Sequence, residues 1–387
     1  MRVQRSRKMT HITIYNNEYS YLKEIDWGFM DAQQDLISQL HPYPAKFIES
    51  IPRTLLQKIS FPENTAILDP FCGSGTTLYE ASKMGLSSYG VDLNPIACLI
   101  SKVRNDALPN SFIEIAEQIV KGARERYISE EYTIPEIPNL NHWFKDDIQK
   151  AITVIITEIH RQEDTLLQNA LLLALSSIIV RVSNQESDTR YAAIDNNNEA
   201  KDVFDGFVRA CKKLENAKKG WEHAGLSHVI NKDILRVQPA EIVEPIGMVI
   251  TSPPYPNAYE YWLYHKYRMW WLGYDPIDVR SYEIGARPHY QKKNGQTEED
   301  FRRQMTQVFD LFDAVLVEGG IVCIVIGRSL IKGREIDNAE MMMQIGREKR
   351  YEVLANIERE IVSSRKSFNP SYGKIKTENI VILRKVN

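Results

Sequence analysis

The sequence predicts an α/β fold, strands and helices alternating around a sheet, with a long helical stretch set into the middle. Three observations predict it. The run Ala66-Ile67-Leu68-Asp69-Pro70-Phe71 leads into the turn Cys72-Gly73-Ser74-Gly75-Thr76-Thr77 and then a helical pattern from Leu78 to Met84. A second short strand, Ser88 to Leu93, carries Asp92 about twenty residues beyond that turn. A third apolar run, Met248-Val249-Ile250, ends on Thr251-Ser252-Pro253-Pro254-Tyr255.

The elements follow in order. Residues 1–40 hold a short apolar alternation, His11 to Tyr15, and the aromatics Trp27 and Phe29. A helix is expected from Ala45 to Gln57, then the strand, glycine turn and helix just described. After Leu108-Pro109 the pattern turns helical to about Gly220, broken once by Pro135 and Pro138, with helices at 147–161, 164–182 and 199–216. The sheet resumes at Val229-Ile230 and Met248 to Thr251. Residues 256–298 are rich in Tyr, Trp and Arg. A helix from Asp300 to Leu316 precedes a turn at Gly319-Gly320 and a strand from Ile321 to Ile326. A helix near Asn338 to Arg347 leads to two strands, Tyr351 to Val362 and Asn379 to Lys385, that form an antiparallel hairpin around Asn369-Pro370-Ser371-Tyr372-Gly373.

Both motif loops sit at carboxyl ends of predicted strands, where open α/β sheets bind ligands. Glycines in the first loop allow unusual backbone angles and close approach to a ligand, and the following helix start offers free amides. No Lys follows Gly75, so a kinase-type phosphate loop is excluded, and Leu78 stands near the place of a dinucleotide fingerprint's third glycine. Asp92 can accept from two ribose hydroxyls. In the second loop, two prolines cannot continue a central strand. They stiffen a turn whose Ser252 hydroxyl and Pro253 carbonyl can grip a planar amino group, with Tyr255 stacked on its ring.

Asp69 to Thr77 and Ser252-Pro253-Pro254-Tyr255 resemble the cofactor loop and catalytic motif of amino-group DNA methyltransferases, the cytosine-N4 and adenine-N6 enzymes. His41-Pro42-Tyr43-Pro44-Ala45-Lys46-Phe47 and Asn231-Lys232-Asp233-Ile234-Leu235 are similar to two lesser segments of that family. The resemblance implies a Rossmann-like class I methyltransferase sheet with an antiparallel C-terminal hairpin. It implies S-adenosylmethionine as cofactor, bound by Tyr43, Lys46, Phe47, Asp69, Phe71, Gly73, Gly75, Thr76, Asp92, Leu93, Asp233 and Thr251, with Asp233 toward the adenine amino group. Ser252, Pro253, Pro254 and Tyr255 are the implied catalytic residues. The implied partner is double-stranded DNA with a flipped target base, in a restriction-modification or other defence system with a cognate endonuclease or defence subunits. Ser rather than Asp before Pro-Pro-Tyr favours cytosine N4, with adenine N6 the alternative. RNA base methylation and a non-enzymatic, nucleic-acid-binding scaffold are the other readings. The expected layout is an extension at 1–40, a catalytic domain at 41–108 and 226–387, and a helical insertion at 109–225 as possible target-recognition region. The cofactor loop precedes the Ser-Pro-Pro-Tyr motif, the reverse of many cytosine-N4 enzymes.

Composition narrows the rest. With 387 residues and 43% hydrophobic content the chain can build a sizeable core. A net charge of −3 is unlike a strongly basic nucleic-acid binder, so DNA contact must come from local patches. Arg2, Arg5, Arg7 and Lys8; Arg287, His289, Lys292 and Lys293; and Arg347, Lys349, Arg350, Arg365 and Lys366 are the patches on offer. Arg181 and Arg190 bracket Ser183-Asn184-Gln185-Glu186-Ser187-Asp188, side chains of the kind that read base edges. Tyr259, Tyr261 and Trp262 are candidates to line the base pocket. The cysteines Cys72, Cys98, Cys211 and Cys323 make no Cys-x-x-Cys pair, so neither zinc nor a disulfide framework is indicated, and none directly follows a proline as the covalent nucleophile of the cytosine-C5 family does, which argues strongly against C5 chemistry. A reducing cytoplasm fits. Leu166 to Val182 reads as a buried helix and not a membrane span.

Overall fold

Eight strands form the central sheet of the computed structural model, which describes residues 10–386 apart from 30–34, 45–46, 131, 189, 222–224, 258–259, 292–293 and 361–376. In chain order they are β1 (His11–Ile14), β2 (Ala66–Asp69), β3 (Ser88–Asp92), β4 (Ser227–Asn231), β5 (Ile246–Thr251), β6 (Leu316–Gly327), β7 (Tyr351–Glu360) and β8 (Thr377–Lys385). They lie side by side as β1-β7-β8-β6-β5-β2-β3-β4. The pairs β4·β3, β3·β2, β2·β5 and β5·β6 are parallel, and β8 runs antiparallel between β6 and β7. This is the α/β sheet with an antiparallel C-terminal hairpin that the resemblance implied. The order reverses between β2 and β5, and both motif loops leave the sheet there.

Alternation along each strand decides the layers. Ala66, Leu68, Val249, Val322 and Ile324 face one apolar cluster, built with α9 (Glu298–Val315) and α10 (Asn338–Glu348). Ile67, Met248, Ile250, Cys323 and Val325 face the other, covered by α1 (Ser50–Lys58) and the N-terminal segment. That segment joins the sheet: β1 pairs antiparallel with β7, Trp27 is fully buried, and its indole N–H donates to the Leu22 carbonyl at 3.0 Å.

The helical stretch holds α4 (Phe112–Ser129), α5 (Asp146–His160), α6 (Thr165–Val182) and α7 (Ala200–Lys218), packed on α3 (Pro95–Asn105) and on α8 (Tyr261–Trp271). One apolar cluster runs through all of them and takes in Trp262, Tyr267 and Trp271. Thr165–Val182 is long and apolar enough to cross a membrane, but most of it is buried inside this cluster.

Three local expectations change. The helix before the glycine loop begins at Ser50, later than the sequence pattern predicts. The glycines at 319 and 320 lie within β6, where the register jumps between Ile246↔Leu316 and Met248↔Ile321 and Gly319, at φ +72°, accommodates the bulge. The polar stretch after α6 is a small antiparallel ribbon, Gln185–Ser187 against Arg190–Ala193. Ser183 Oγ accepts from the Gln185 backbone N–H at 3.0 Å, the local side-chain competition that ends helices. The expected loop 369–373 lies outside the described residues.

Candidate active site

The two motif loops are fastened to each other at the carboxyl ends of β2 and β5. Asp69 closes β2, and its Oδ1 accepts from Thr251 Oγ1 at 2.7 Å and from the Phe71 N–H at 3.2 Å. Asp69 is 2% exposed and Thr251 1%, so the pair is an internal bracket between loops. Burial pushes the Asp69 carboxyl up to about 6, with the Thr77 and Thr251 hydroxyls pulling it down.

The glycine turn has the backbone its residues require. Gly73 and Gly75 have φ of +49° and +73°. A Cβ on Gly75 would lie 3.0 Å from the Ser101 Cα, which leaves no room for a side chain. On Gly73 it would meet the Tyr43 hydroxyl at 3.0 Å, so Tyr43 forms a wall over the turn. Beneath the turn, Arg104 donates to the Thr76 hydroxyl at 3.1 Å and pairs with Glu49 at 2.5 Å. Both side chains are buried, and Arg104 also lies 4.4 Å from the Tyr79 ring centre.

At the end of β3 the Asp92 carboxylate receives the Gly73 N–H on Oδ2 at 2.9 Å and the Asn94 N–H on Oδ1 at 2.8 Å. Each oxygen keeps further acceptor capacity. Burial raises this carboxyl to about 6. Phe71, Leu93 and Phe47 are partly buried and pack on three different apolar clusters. Asp233 caps the short turn Ile234–Arg236, accepting from the Leu235 N–H at 3.0 Å, and its second oxygen lies 3.6 Å from Arg236 Nε. Lys46 lies outside the described residues.

Across the cleft, Pro253 is buried and Ser252 half-buried. Tyr255 is placed by its hydroxyl, which donates to Glu378 at 3.4 Å and has Ser252 as a neighbour. Burial and Glu378 keep its phenol well above the usual range, so it stays protonated.

Two residues that hold this loop escaped the sequence reading. Glu283 is 8% exposed and accepts from the Tyr261 N–H at 2.7 Å and the Trp262 N–H at 3.0 Å, capping α8 from a distant segment. Burial pushes its carboxyl up to about 8, with Asp92 among the charges that raise it. Gly285, at φ +77°, lies against the Tyr255 carbonyl, which a Cβ would meet at 2.9 Å. Its carbonyl accepts from the Asn257 N–H at 2.9 Å. A lone acid before Ile-Gly inside an aromatic segment was the available signal.

The candidate pocket aromatics part company. Tyr261 stacks with Tyr43, ring centres 6.0 Å apart, and Tyr43 stacks in turn on the buried His265 at 5.4 Å. Trp262 turns the other way into the helical core, with Arg280 5.1 Å from its ring centre. Tyr259 lies outside the described residues. So do Arg2, Arg5, Arg7, Lys8, Lys292, Lys293, Arg365 and Lys366.

Three carboxylates, Asp35, Glu49 and Glu80, converge near α1 and α2 (Thr76–Lys83). Arg53, Lys83 and Arg104 pair with them, which makes the cluster an ion-pair network.

Residues 4–103 match the family model N6_N4_Mtase, DNA methylase. The type II methyltransferase M.MvaI of Kocuria varians is 26% identical over 266 residues, 63% of this chain and 57% of that protein. M.MjaII of Methanocaldococcus jannaschii is 38% identical over 90 residues, 21% of this chain and 16% of that protein. M.BsoBI of Geobacillus stearothermophilus is 22% identical over 284 residues, 62% and 53%. The chain thus spans about half the length, or less, of these curated relatives. A solved rRNA methyltransferase, aviRa from Streptomyces viridochromogenes, aligns with a TM-score of 0.35 at 11% identity over 93% of this chain and 94% of its own. The fold rests on the strand order and not on that likeness. Residues 4–103, which hold the glycine loop, are thus similar to the DNA methylase family, and about three fifths of the chain is similar to type II methyltransferases.

Proposed function

We propose that the chain methylates the exocyclic N4 amino group of cytosine in double-stranded DNA, with S-adenosylmethionine as methyl donor, within a restriction-modification or related defence system. The observation that carries the reading is the bracket Asp69–Thr251, which holds the glycine turn and Ser252-Pro253-Pro254-Tyr255 on one cleft.

The cleft fits the family's cofactor. Asp92 offers acceptor capacity on both oxygens for a ribose diol, and Tyr43 and Tyr261 supply electron-rich rings for a cationic sulfur. Phe71 and Leu93 supply apolar surface, and Asp233 an acceptor for the adenine amino group. When bound, S-adenosylmethionine supplies an electrophilic methyl group on a positive sulfur.

The amino group of cytosine is a poor nucleophile because its lone pair is delocalised into the ring. Ser252 Oγ and the Pro253 carbonyl accept its two N–H groups and draw that pair out of conjugation. Tyr255 stacks on the flipped base and fixes its plane. The contribution of these residues is positioning and electrostatics. Adenine N6 is the second reading, because the matched family model spans both amino groups.

The test is incubation of the full chain with labelled cofactor and unmethylated genomic DNA, followed by nucleoside mass analysis. N4-methylcytosine is expected. N6-methyladenine selects the second reading, and label in RNA alone overturns both. Tyr255→Ala should cut transfer about ten- to hundredfold, as loss of one stacking platform worth about 1–3 kcal/mol predicts, and leave cofactor affinity in place.

A further inference from the structure

Beside the cofactor wall lies a cavity of about 710 Å³, roofed by His41-Pro42-Tyr43 and floored by α6 and α7. Its cations come from both helices. Arg181 is on α6; Arg209 and Lys213 share one face of α7 with Gly206 and Ala210. The absent side chain of Gly206 lets the helices bring Arg181 close: a Cβ there would meet Arg181 Nη2 at 2.9 Å and Arg209 Nη2 at 3.9 Å. Two guanidinium groups therefore converge on one glycine.

Among the described residues neither guanidinium makes an ion pair or a hydrogen bond. Lys213 donates to the Gln39 carbonyl at 2.6 Å. Among the described residues Asp188 is the one carboxylate lining the cavity, and Arg268 pairs with it. Other surface cations contrast with this. Arg190 pairs with Glu186, Arg347 with Glu340 and Lys349 with Asp310. Arg181 and Arg209 repel each other, and Asp202, the carboxylate that acts on Arg181, makes no ion pair with either among the described residues, so the arrangement favours an anion between the two guanidinium groups. Two planar forks match a phosphate group's oxygens.

We propose that this cavity is a phosphodiester site, in which Arg181 and Arg209, with Lys213 beside them, hold the DNA backbone next to the target nucleotide. The proposal rests on the DNA-methylation reading and adds a place and a chemistry to it. The location fits: Tyr43 lines the cavity and also touches Gly73 of the cofactor turn, so one side chain separates the two sites. The neighbouring polar stretch does not compete for bases. Gln185 is 3% exposed, and its amide donates to the Ser187 carbonyl. Arg181 thus serves the backbone and not a base edge.

The test is a salt titration of binding between the full chain and a labelled mixed-sequence DNA duplex. Each phosphate contact contributes about 0.9 to the slope of log affinity against log salt. Arg181→Gln with Arg209→Gln should flatten that slope by about 2 and weaken binding roughly ten- to hundredfold near 0.1 M salt. Lys at both positions should restore most of the slope, and S-adenosylmethionine affinity should stay at the wild-type value. Gly206→Ala displaces only the flexible end of Arg181 and should give a smaller loss in the same direction. If wild type methylates DNA and the double variant keeps the wild-type slope, the cavity assignment fails and the enzymatic reading stands. If the slope responds but no methyl reaches DNA, the site stands and the enzymatic reading fails. A wild type that ignores DNA duplex at low salt, or binds only an RNA duplex, sinks both.

Discussion

Arginine is used in opposite ways in two regions of this molecule. Under the glycine turn, Arg104 is 3% exposed, paired with Glu49, bonded to Thr76 and packed on Tyr79. In the helical stretch, Arg181 and Arg209 are exposed, and among the described residues they share a cavity without a partner. The first arrangement spends its charge inside the fold and gains a fixed loop. The second leaves its charge for something that arrives. A buried ion pair is costly to break and an exposed cation costs little to remove, so the two regions should separate cleanly in measurement.

The largest effect should come from the buried side. Arg104→Ala strands Glu49 in the interior, and removing one partner of a buried pair costs about 3–5 kcal/mol. Denaturant midpoints should show it, and Arg209→Ala should stay within about 0.5 kcal/mol of wild type. If Arg104→Ala unfolds no more easily than Arg209→Ala, the distinction between bracing and binding charge collapses. A second, smaller effect belongs to the cleft. Asp92→Ala removes charged acceptors worth about 1.5–3 kcal/mol, so S-adenosylmethionine affinity should fall roughly ten- to hundredfold by calorimetry. Undiminished affinity would remove Asp92 from the cofactor site.

The remaining effect is a matter of pH. Burial holds the Glu283 carboxyl at about 8, against an ordinary value of about 4.3. The folded state therefore keeps a proton that the unfolded chain releases. The stability this contributes is complete below about pH 4.3 and is lost as pH rises toward about 8. Glu283→Gln cannot ionise, so the destabilisation it causes should be greater at pH 5.5 than at pH 8.5, by up to a few kcal/mol. Denaturant midpoints at the two pH values measure the difference. An equal loss at both would mean that Glu283 is ionised throughout.

These regions were not equally legible. The glycine turn and the Ser-Pro-Pro-Tyr loop are each a contiguous run, because a loop at a strand end must carry its chemistry on consecutive residues. Strands β2 and β5 announce themselves by apolar runs that stop at those loops. What consecutive residues do not carry was missed. Glu283 caps α8 from more than twenty positions downstream. Tyr261 and Trp262 are neighbours in sequence, yet one stacks at the cleft and the other enters the helical core. The Arg181–Arg209 pair depends on how α6 meets α7, which hydrophobic periodicity does not specify. The helical stretch is also less separate than the sequence suggests, because Trp262, Tyr267 and Trp271 lock α8 into its apolar cluster.

The strand at the sheet's outer edge has a consequence in time. Asn16 and Glu352, which hydrogen-bond just beyond β1, are 336 residues apart in the chain. At roughly 5–20 residues per second, a ribosome takes about 20–70 s to cover that interval. Throughout it, β1 and the Trp27 segment have no β7 to dock on, and their apolar faces stay open to solvent and to other chains. Closure of so distant a contact is also slow by topology. A segment made so long before its partner is thus among the last to find its place, and the edge strand sets how long the nascent chain needs protection.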